Sequence, residues 1–306
     1  MDGGIDDALA IILALRSPEM DVAGITAVSG NVPVDQATIN ALRVVELLDR
    51  RDVWVAQGLQ RPLARDPIRA FKFHGRDGLG DSHLPLPRLR LAKKTALNAM
   101  IETLSSTKKS GLTMICTGPL TNLASLLIEF PEAKKSIDEV VLMGGAYGIT
   151  KYGVGNETPV SEFNIFSDPE AARTVFEADI APKTVGLDVT TIPQLELVKA
   201  DYARIRMSEE RVAMFAVRIL QNNMQAHGRF TLHDPMALAV MIKPGFYKFS
   251  DCRVSVETKG EYTTGMTVTD RRDWLGEDQR VGRRVKVCRD VDPRFKRLFL
   301  ARITAA

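Results

Sequence analysis

Short apolar runs alternate along this chain with stretches of helical pattern, and this alternation is what most restricts the fold. Residues 22–28, 53–56, 112–116, 140–143 and 184–189 read as strands. The runs at 112–116 and 140–143 are apolar runs of the kind expected to lie fully buried in a parallel sheet. Residues 35–49 form an amphipathic helical pattern, and residues 122–129 read as a helix between two strands. Asp168-Pro169-Glu170 opens another helix, with Asp as the N-cap and Pro in the first turn. Parallel strands need crossover connections, which helices supply. The pattern therefore predicts an α/β chain with an open, mostly parallel, Rossmann-like sheet and helices on both faces. Residues 253–257 and 265–269 read as a hairpin and residues 284–288 as a further strand, which makes the sheet mixed; residues 292–302 close the chain as a helix. No internal repeat is visible, and residues 1–306 are expected to form one domain. Residues 58–91 are rich in Pro, Gly and Arg with little periodicity, and read as a long functional loop.

Composition narrows the partners. The chain has 41 Lys and Arg against 38 Asp and Glu, a formal net charge of +3. So small an imbalance supplies no electrostatic attraction for nucleic acid or an anionic membrane. Three cysteines without a CxxC pair, Cys116, Cys252 and Cys288, suit free thiols in a reducing compartment. No apolar stretch reaches the roughly 20 residues of a membrane span. The first residues are acidic, unlike a secretory signal. The expectation is a cytoplasmic enzyme or binding protein acting on a small molecule.

The first seven residues, Met1-Asp2-Gly3-Gly4-Ile5-Asp6-Asp7, run directly into an apolar helical segment. Asp6 and Asp7 thus sit at a helix N-terminus, where carboxylates meet free amide N–H groups and the positive end of the dipole. One Asp suffices for that. Three carboxylates in six residues repel one another unless a cation neutralises them, and oxygen donors suit Ca²⁺ or Mg²⁺. Capping and metal binding are evenly balanced on these residues alone. Four other segments carry polar or glycine residues at strand ends, where parallel sheets bind ligands: residues 26–31, 117–122, 141–145 and 233–235.

Taken together, these segments resemble the nucleoside hydrolase family of the inosine–uridine-preferring type. The resemblance rests on MDGGIDDALAI (1–11), AVSGN (27–31), FHGRDGLG (73–80), TGPLTNLA (117–124), VVLMGGAY (140–147), GNETPVSEFNIFSDPEAA (155–172), LHDPMALA (232–239) and GMTVTDRR (265–272). Their joint order covers essentially the whole chain. The resemblance implies hydrolysis of the N-glycosidic bond of ribonucleosides around one Ca²⁺. It implies Asp2, Asp7 and Asp234 as carboxylate metal ligands, joined by the backbone carbonyl of Thr117, with Asp2 also general base to the attacking water. Asp6, Asn31 and Asn164 are implied to bind the ribose 2′- and 3′-hydroxyls, Asn156 and Glu162 the 5′-hydroxyl, and Met143 to pack on the sugar. His233 and His74 are implied as the active-site histidines, His233 toward the leaving group. Phe163 lines the pocket or fills the core. His227 and Arg229 fall in the region that shapes base preference in the family. Homodimers or homotetramers are implied.

One departure stands out. The family pattern D-x-D-x-x-x-D-D follows a β-strand, whereas here Met1 occupies the first x. The expectation is two exposed strand edges, an opened core, an α-amino group beside the metal site, and an Asp2 poorly held between a terminus and two glycines. A second reading is accordingly an impaired homologue acting as a binding or structural subunit. A phosphatase DxDGT reading fails, since its first Asp and its Thr are missing.

Overall fold

The computed structural model describes residues 1–106 and 111–305. Helix α1 (Ile5–Leu15), β1 (Gly24–Ala27), α2 (Val34–Leu47) and β2 (Trp54–Gln57) come first, then α3 (Phe71–His74) and α4 (Ala96–Ser106). Next are β3 (Leu112–Cys116), α5 (Thr121–Glu129), β4 (Ile137–Met143), α6 (Phe163–Ser167), α7 (Pro169–Glu177), β5 (Lys183–Val185) and α8 (Leu187–Thr190). The last third holds β6 (Leu197–Val198), α9 (Lys199–Arg206), α10 (Arg211–His227), β7 (Arg229–Phe230), α11 (His233–Ile242), β8 (Tyr247–Val256), β9 (Thr267–Asp270), β10 (Arg283–Val291) and α12 (Arg294–Thr304).

The central sheet runs β3-β4-β5-β10-β8-β9. Its first four strands are parallel, and β8 and β9 join antiparallel. This is the mixed, mostly parallel α/β sheet expected from the pattern. The two faces are visible in β4 alone. Val140 and Leu142 pack into a core with Leu126, Val175 and Phe176, whereas Val141 and Met143 pack into another with Leu9 and Ala237. Alternate side chains of a strand point to opposite faces, so each face needs its own helical cover. Helix α1 is buried from Ile5 to Ala14, which is why its apolar residues occupy every side rather than one stripe.

The run read as strand over 184–189 is strand only to Val185. Gly186 ends it and starts α8, and the Asp188 carboxylate turns to accept the amides of Tyr147 (2.7 Å), Ile149 (2.8 Å) and Thr150 (3.1 Å). These bonds fix the loop after β4 and outweigh the β-propensity of the run. The hairpin, the last strand and the closing helix stand close to their expected positions. Residues 58–91 contain only the short α3 and reach across the molecule, with Asn40 Nδ2 holding the carbonyls of Gly3 and Asp77 at 2.8 Å each.

Among the strands of the described residues, β1 and β2 pair only with each other, apart from the central sheet. A cleft of about 200 Å³ separates β1 from β3, lined by Ile25, Trp54, Met100, Met114 and Ile115 among others. The two open edges are therefore present. Met1 lies at one end of this cleft as a rung of a parallel ladder with β1: its amino group donates to the Thr26 carbonyl (3.2 Å) and its carbonyl accepts from Val28 N (2.9 Å). An extension of about six apolar residues ahead of Met1 would continue this ladder into the cleft. Such an extended chain is expected to melt roughly 5–10 °C higher than residues 1–306, since pairing two edges and covering apolar surface adds a few kcal/mol. Equal melting temperatures in calorimetry would show that the cleft does not accept a strand.

Candidate active site

The acidic N-terminal residues converge below one end of the sheet. Asp2 and Asp7 are fully buried, and Asp6 and Asp234 nearly so. Carboxylate oxygens of Asp6, Asp7 and Asp234 lie within 4.8 Å of one another. Asp2 stands against Asp7, and the charge on Asp7 raises its pKa after burial does. The first turn of α1 supplies Asp6 and Asp7, and the first turn of α11 supplies Asp234. Gly3, at φ 85°, turns the chain so that Asp2 faces back toward this group, in a conformation that other residues avoid. A Cβ on Gly30 would come within 2.0 Å of Asp2 Oδ2, so that glycine admits the carboxylate.

Asp2 is held firmly, contrary to the expectation that a terminus and two glycines would hold it poorly. Its Oδ2 accepts the Asn31 amide at 2.7 Å and its Oδ1 accepts Asn31 Nδ2 at 3.0 Å. The Met1 rung anchors the backbone just before it. Asp7 accepts the Gly4 amide (2.8 Å) and the Thr117 hydroxyl (2.7 Å). Asp6 Oδ1 is buried without a hydrogen-bond partner. Burial followed by neighbouring carboxylates raises Asp6 to about 8 and holds Asp2 and Asp234 well above their ordinary range. The α-amino group of Met1 pulls both Asp2 and Asp234 back down, and the Arg69 guanidinium is also close enough to feel the charge of Asp2. An all-oxygen donor set with an orphaned buried oxygen fits a hard divalent cation.

The cluster opens on a cavity of about 850 Å³. Asp6, Asn31, Thr117, Met143, Asn156, Glu162, Phe163, Asn164, His74, His233 and Asp234 line it, whereas Asp2 and Asp7 lie behind its wall. Asn164 Nδ2 donates to the Met143 carbonyl at 3.2 Å. Glu162 is the N-cap of α6: its carboxylate accepts the amides of Asn164 (2.9 Å), Ile165 (3.1 Å) and, across the turn, Gly145 (3.0 Å). Burial raises its pKa, and these three N–H groups pull it back. Asn156 Oδ1 accepts the Phe163 amide at 3.0 Å.

Both histidines face the cavity. His74 Nδ1 accepts the Ile5 amide at 3.1 Å, which places the proton of the neutral ring on Nε2; the same nitrogen is 3.8 Å from Asp6 Oδ1. His233 Nδ1 is 2.8 Å from the Thr190 hydroxyl. Burial brings each down to about 4, so both rings are neutral at pH 7. His227 and Arg229 also line the cavity, as do Arg69, Lys72, Thr191, Glu196, Asn223 and Thr231. Glu196 and Thr231 escaped sequence reasoning, because no spacing marks them. Only the antiparallel pairing of β6 with β7 places them opposite each other.

Comparison with known proteins gives a consistent result. The family model described as inosine-uridine preferring nucleoside hydrolase matches residues 1–297. A pyrimidine-specific ribonucleoside hydrolase RihA of Shewanella woodyi is 43% identical over 282 residues, which is 90% of this chain and 88% of that protein. The structure of a plant nucleoside hydrolase superposes with a TM-score of 0.90 at 30% identity, covering 100% of this chain and 98% of that one. A purine-preferring ribonucleoside hydrolase from Gardnerella vaginalis superposes at 0.86 with 32% identity, covering 99% and 96%. Among the described residues, no helix is long and apolar enough to cross a membrane.

Proposed function

Because the chain belongs to the inosine-uridine preferring nucleoside hydrolase family, we propose that it hydrolyses the N-glycosidic bond of ribonucleosides with water, in a calcium-dependent reaction that releases free base and ribose. The observation that carries this is the buried carboxylate cluster opening on a cavity whose wall combines hydroxyl-binding amides with two neutral histidines.

Asp2, Asp7, Asp234 and the Thr117 carbonyl would hold the ion, with Asp6 completing the acidic wall. What Ca²⁺ supplies there is charge balance for the carboxylates and a lowered pKa for the attacking water. Asp2, oriented through both oxygens by Asn31, accepts the proton of that water as general base. Asp6, Asn31 and Asn164 bind the ribose 2′- and 3′-hydroxyls, and the unpartnered Asp6 Oδ1 offers an acceptor for one of them. Asn156 and Glu162 take the 5′-hydroxyl, with Met143 and Phe163 against the sugar. As the C–N bond stretches, the sugar gains oxocarbenium character, which the nearby carboxylates stabilise. His233 and His74 donate from their rings toward the departing base. Negative charge growing on that base raises the proton affinity of the neighbouring imidazole, so His233 can take up a proton from solvent and pass it to the leaving nitrogen as the C–N bond electrons move onto the base, which returns the ring to its neutral form.

The test is a base-release panel over uridine, cytidine, inosine and adenosine, with 2′-deoxyuridine alongside. Deoxyuridine is expected to react at least about 100-fold more slowly than uridine, because a hydroxyl contact made strongest in the transition state is lost. Equal rates for the two would remove the ribose assignments, and no base release from any ribonucleoside would overturn the function.

A further inference from the structure

Glu196 is a shielded carboxylate on the cavity wall that the proposed chemistry leaves idle. Its side chain is 12% exposed. Strand β6 pairs Leu197 with Phe230 and Val198 with Arg229, and one step further this antiparallel register sets Glu196 against Thr231. The Thr231 hydroxyl donates to Glu196 Oε1 at 3.0 Å, and Lys296 Nζ holds the Glu196 carbonyl at 3.2 Å. Glu196 Oε2 stands 3.8 Å from Arg229 Nε, beyond hydrogen-bond reach, and the Arg229 side chain is 66% exposed. One carboxylate oxygen is thus fixed and the other is an open acceptor beside a movable donor.

The position of this ribbon indicates what it faces. Thr231 lies two residues before His233, and Thr191 of the same wall adjoins Thr190, which holds the His233 ring. The ribbon belongs with the leaving-group histidine, whereas Asn156, Glu162 and Asn164 come from the segment around α6. A carboxylate acceptor next to a guanidinium donor complements a ring N–H next to a carbonyl, the lactam edge of uracil or hypoxanthine. We infer that Glu196, held by Thr231 and flanked by Arg229, selects bases that present a lactam N–H. This inference rests on the nucleoside hydrolase reading above. A base without that proton strips water from the Glu196 carboxylate and returns no hydrogen bond, a loss that built polar sites convert into discrimination.

The experiment compares kcat/KM for uridine and 3-methyluridine, which lacks the N3 proton, with p-nitrophenyl riboside as a substrate that has no base edge. The unmodified chain is expected to prefer uridine by about 10- to 100-fold. Glu196→Ala, and Glu196→Gln as the shape-preserving variant, are expected to shrink that ratio by at least about 5-fold, mainly through loss on uridine. A ratio unchanged in both variants, with p-nitrophenyl riboside still hydrolysed, would assign Glu196 a structural role and overturn the inference. If the unmodified chain hydrolyses neither nucleosides nor the aryl riboside, the failure lies in the hydrolase reading itself, and the inference falls with it.

Discussion

Stripping divalent cations with EDTA is expected to cut uridine hydrolysis by at least about 10³-fold, and added Ca²⁺ to restore it, since the lost charge stabilisation amounts to several kcal/mol of barrier. Asp7→Asn and Asp234→Asn should reproduce the loss without EDTA. Stability should report the same site. In the metal-free chain burial and then the neighbouring Asp7 charge push Asp6 from its ordinary 3.8 up to about 8. A carboxyl whose pKa rises on folding stabilises the fold fully below its unfolded pKa, and that contribution is lost as pH climbs through the folded value. His74 and His233 act in the opposite sense: lowered from 6.5 to about 4, they cost stability only as pH falls below 6.5. Above pH 6.5 the histidine contribution fades, and toward pH 8 the raised carboxylates dominate the change. The EDTA-treated chain should therefore melt at a lower temperature at pH 8 than at pH 6.5. Saturating Ca²⁺, at about 100 times its Kd, should raise the melting temperature by roughly 5 °C, and by more at pH 8. Melting curves indifferent to calcium at both pH values, together with full activity in EDTA, would remove the metal from this site.

His233→Ala is expected to lower kcat on uridine and inosine by about 10²–10⁴-fold, the usual contribution of a positioned proton donor. The same variant should lose far less on p-nitrophenyl riboside, whose phenolate departs without protonation. Two roles are separated in this way. If His233 served only to orient Asp234 beside it, both substrates would suffer alike, because the acidic cluster acts on the sugar whatever the leaving group. His74→Ala should fall between them. Its Nδ1 holds the Ile5 amide at the start of α1, so its loss also frees the turn that presents Asp6 and Asp7.

The strand and helix pattern could be read from the residues because buried parallel strands and their covering helices leave opposite periodicities. The run at 140–143 is the fully buried strand its apolar character implies, whereas 112–116 is a strand but only half-buried, because it stands on the open cleft, and Asp168 caps α7 through the Ala171 amide as its position before Pro169 implies. The acidic start was legible as chemistry of one of two kinds, and the strand-end motifs turned the balance toward a metal site. Residues 184–189 were misread because a propensity is local, whereas the amides that Asp188 satisfies lie some forty residues earlier in the chain.

What no stretch of residues could announce is convergence. Asp2 looked loose beside a terminus and two glycines, yet Asn31, from the loop after β1, binds both its oxygens and Met1 is tied to the same strand. Glu196 sits in an unremarkable stretch and enters the cavity wall only through the pairing of β6 with β7. The pKa values of the acidic cluster and of both histidines likewise belong to the folded chain, because they arise from burial and from charges brought together across more than two hundred residues. Composition and spacing specify which chemical groups are available. Proximity and exclusion of water, which exist only once the sheet has brought distant segments to one end, set how strongly those groups act.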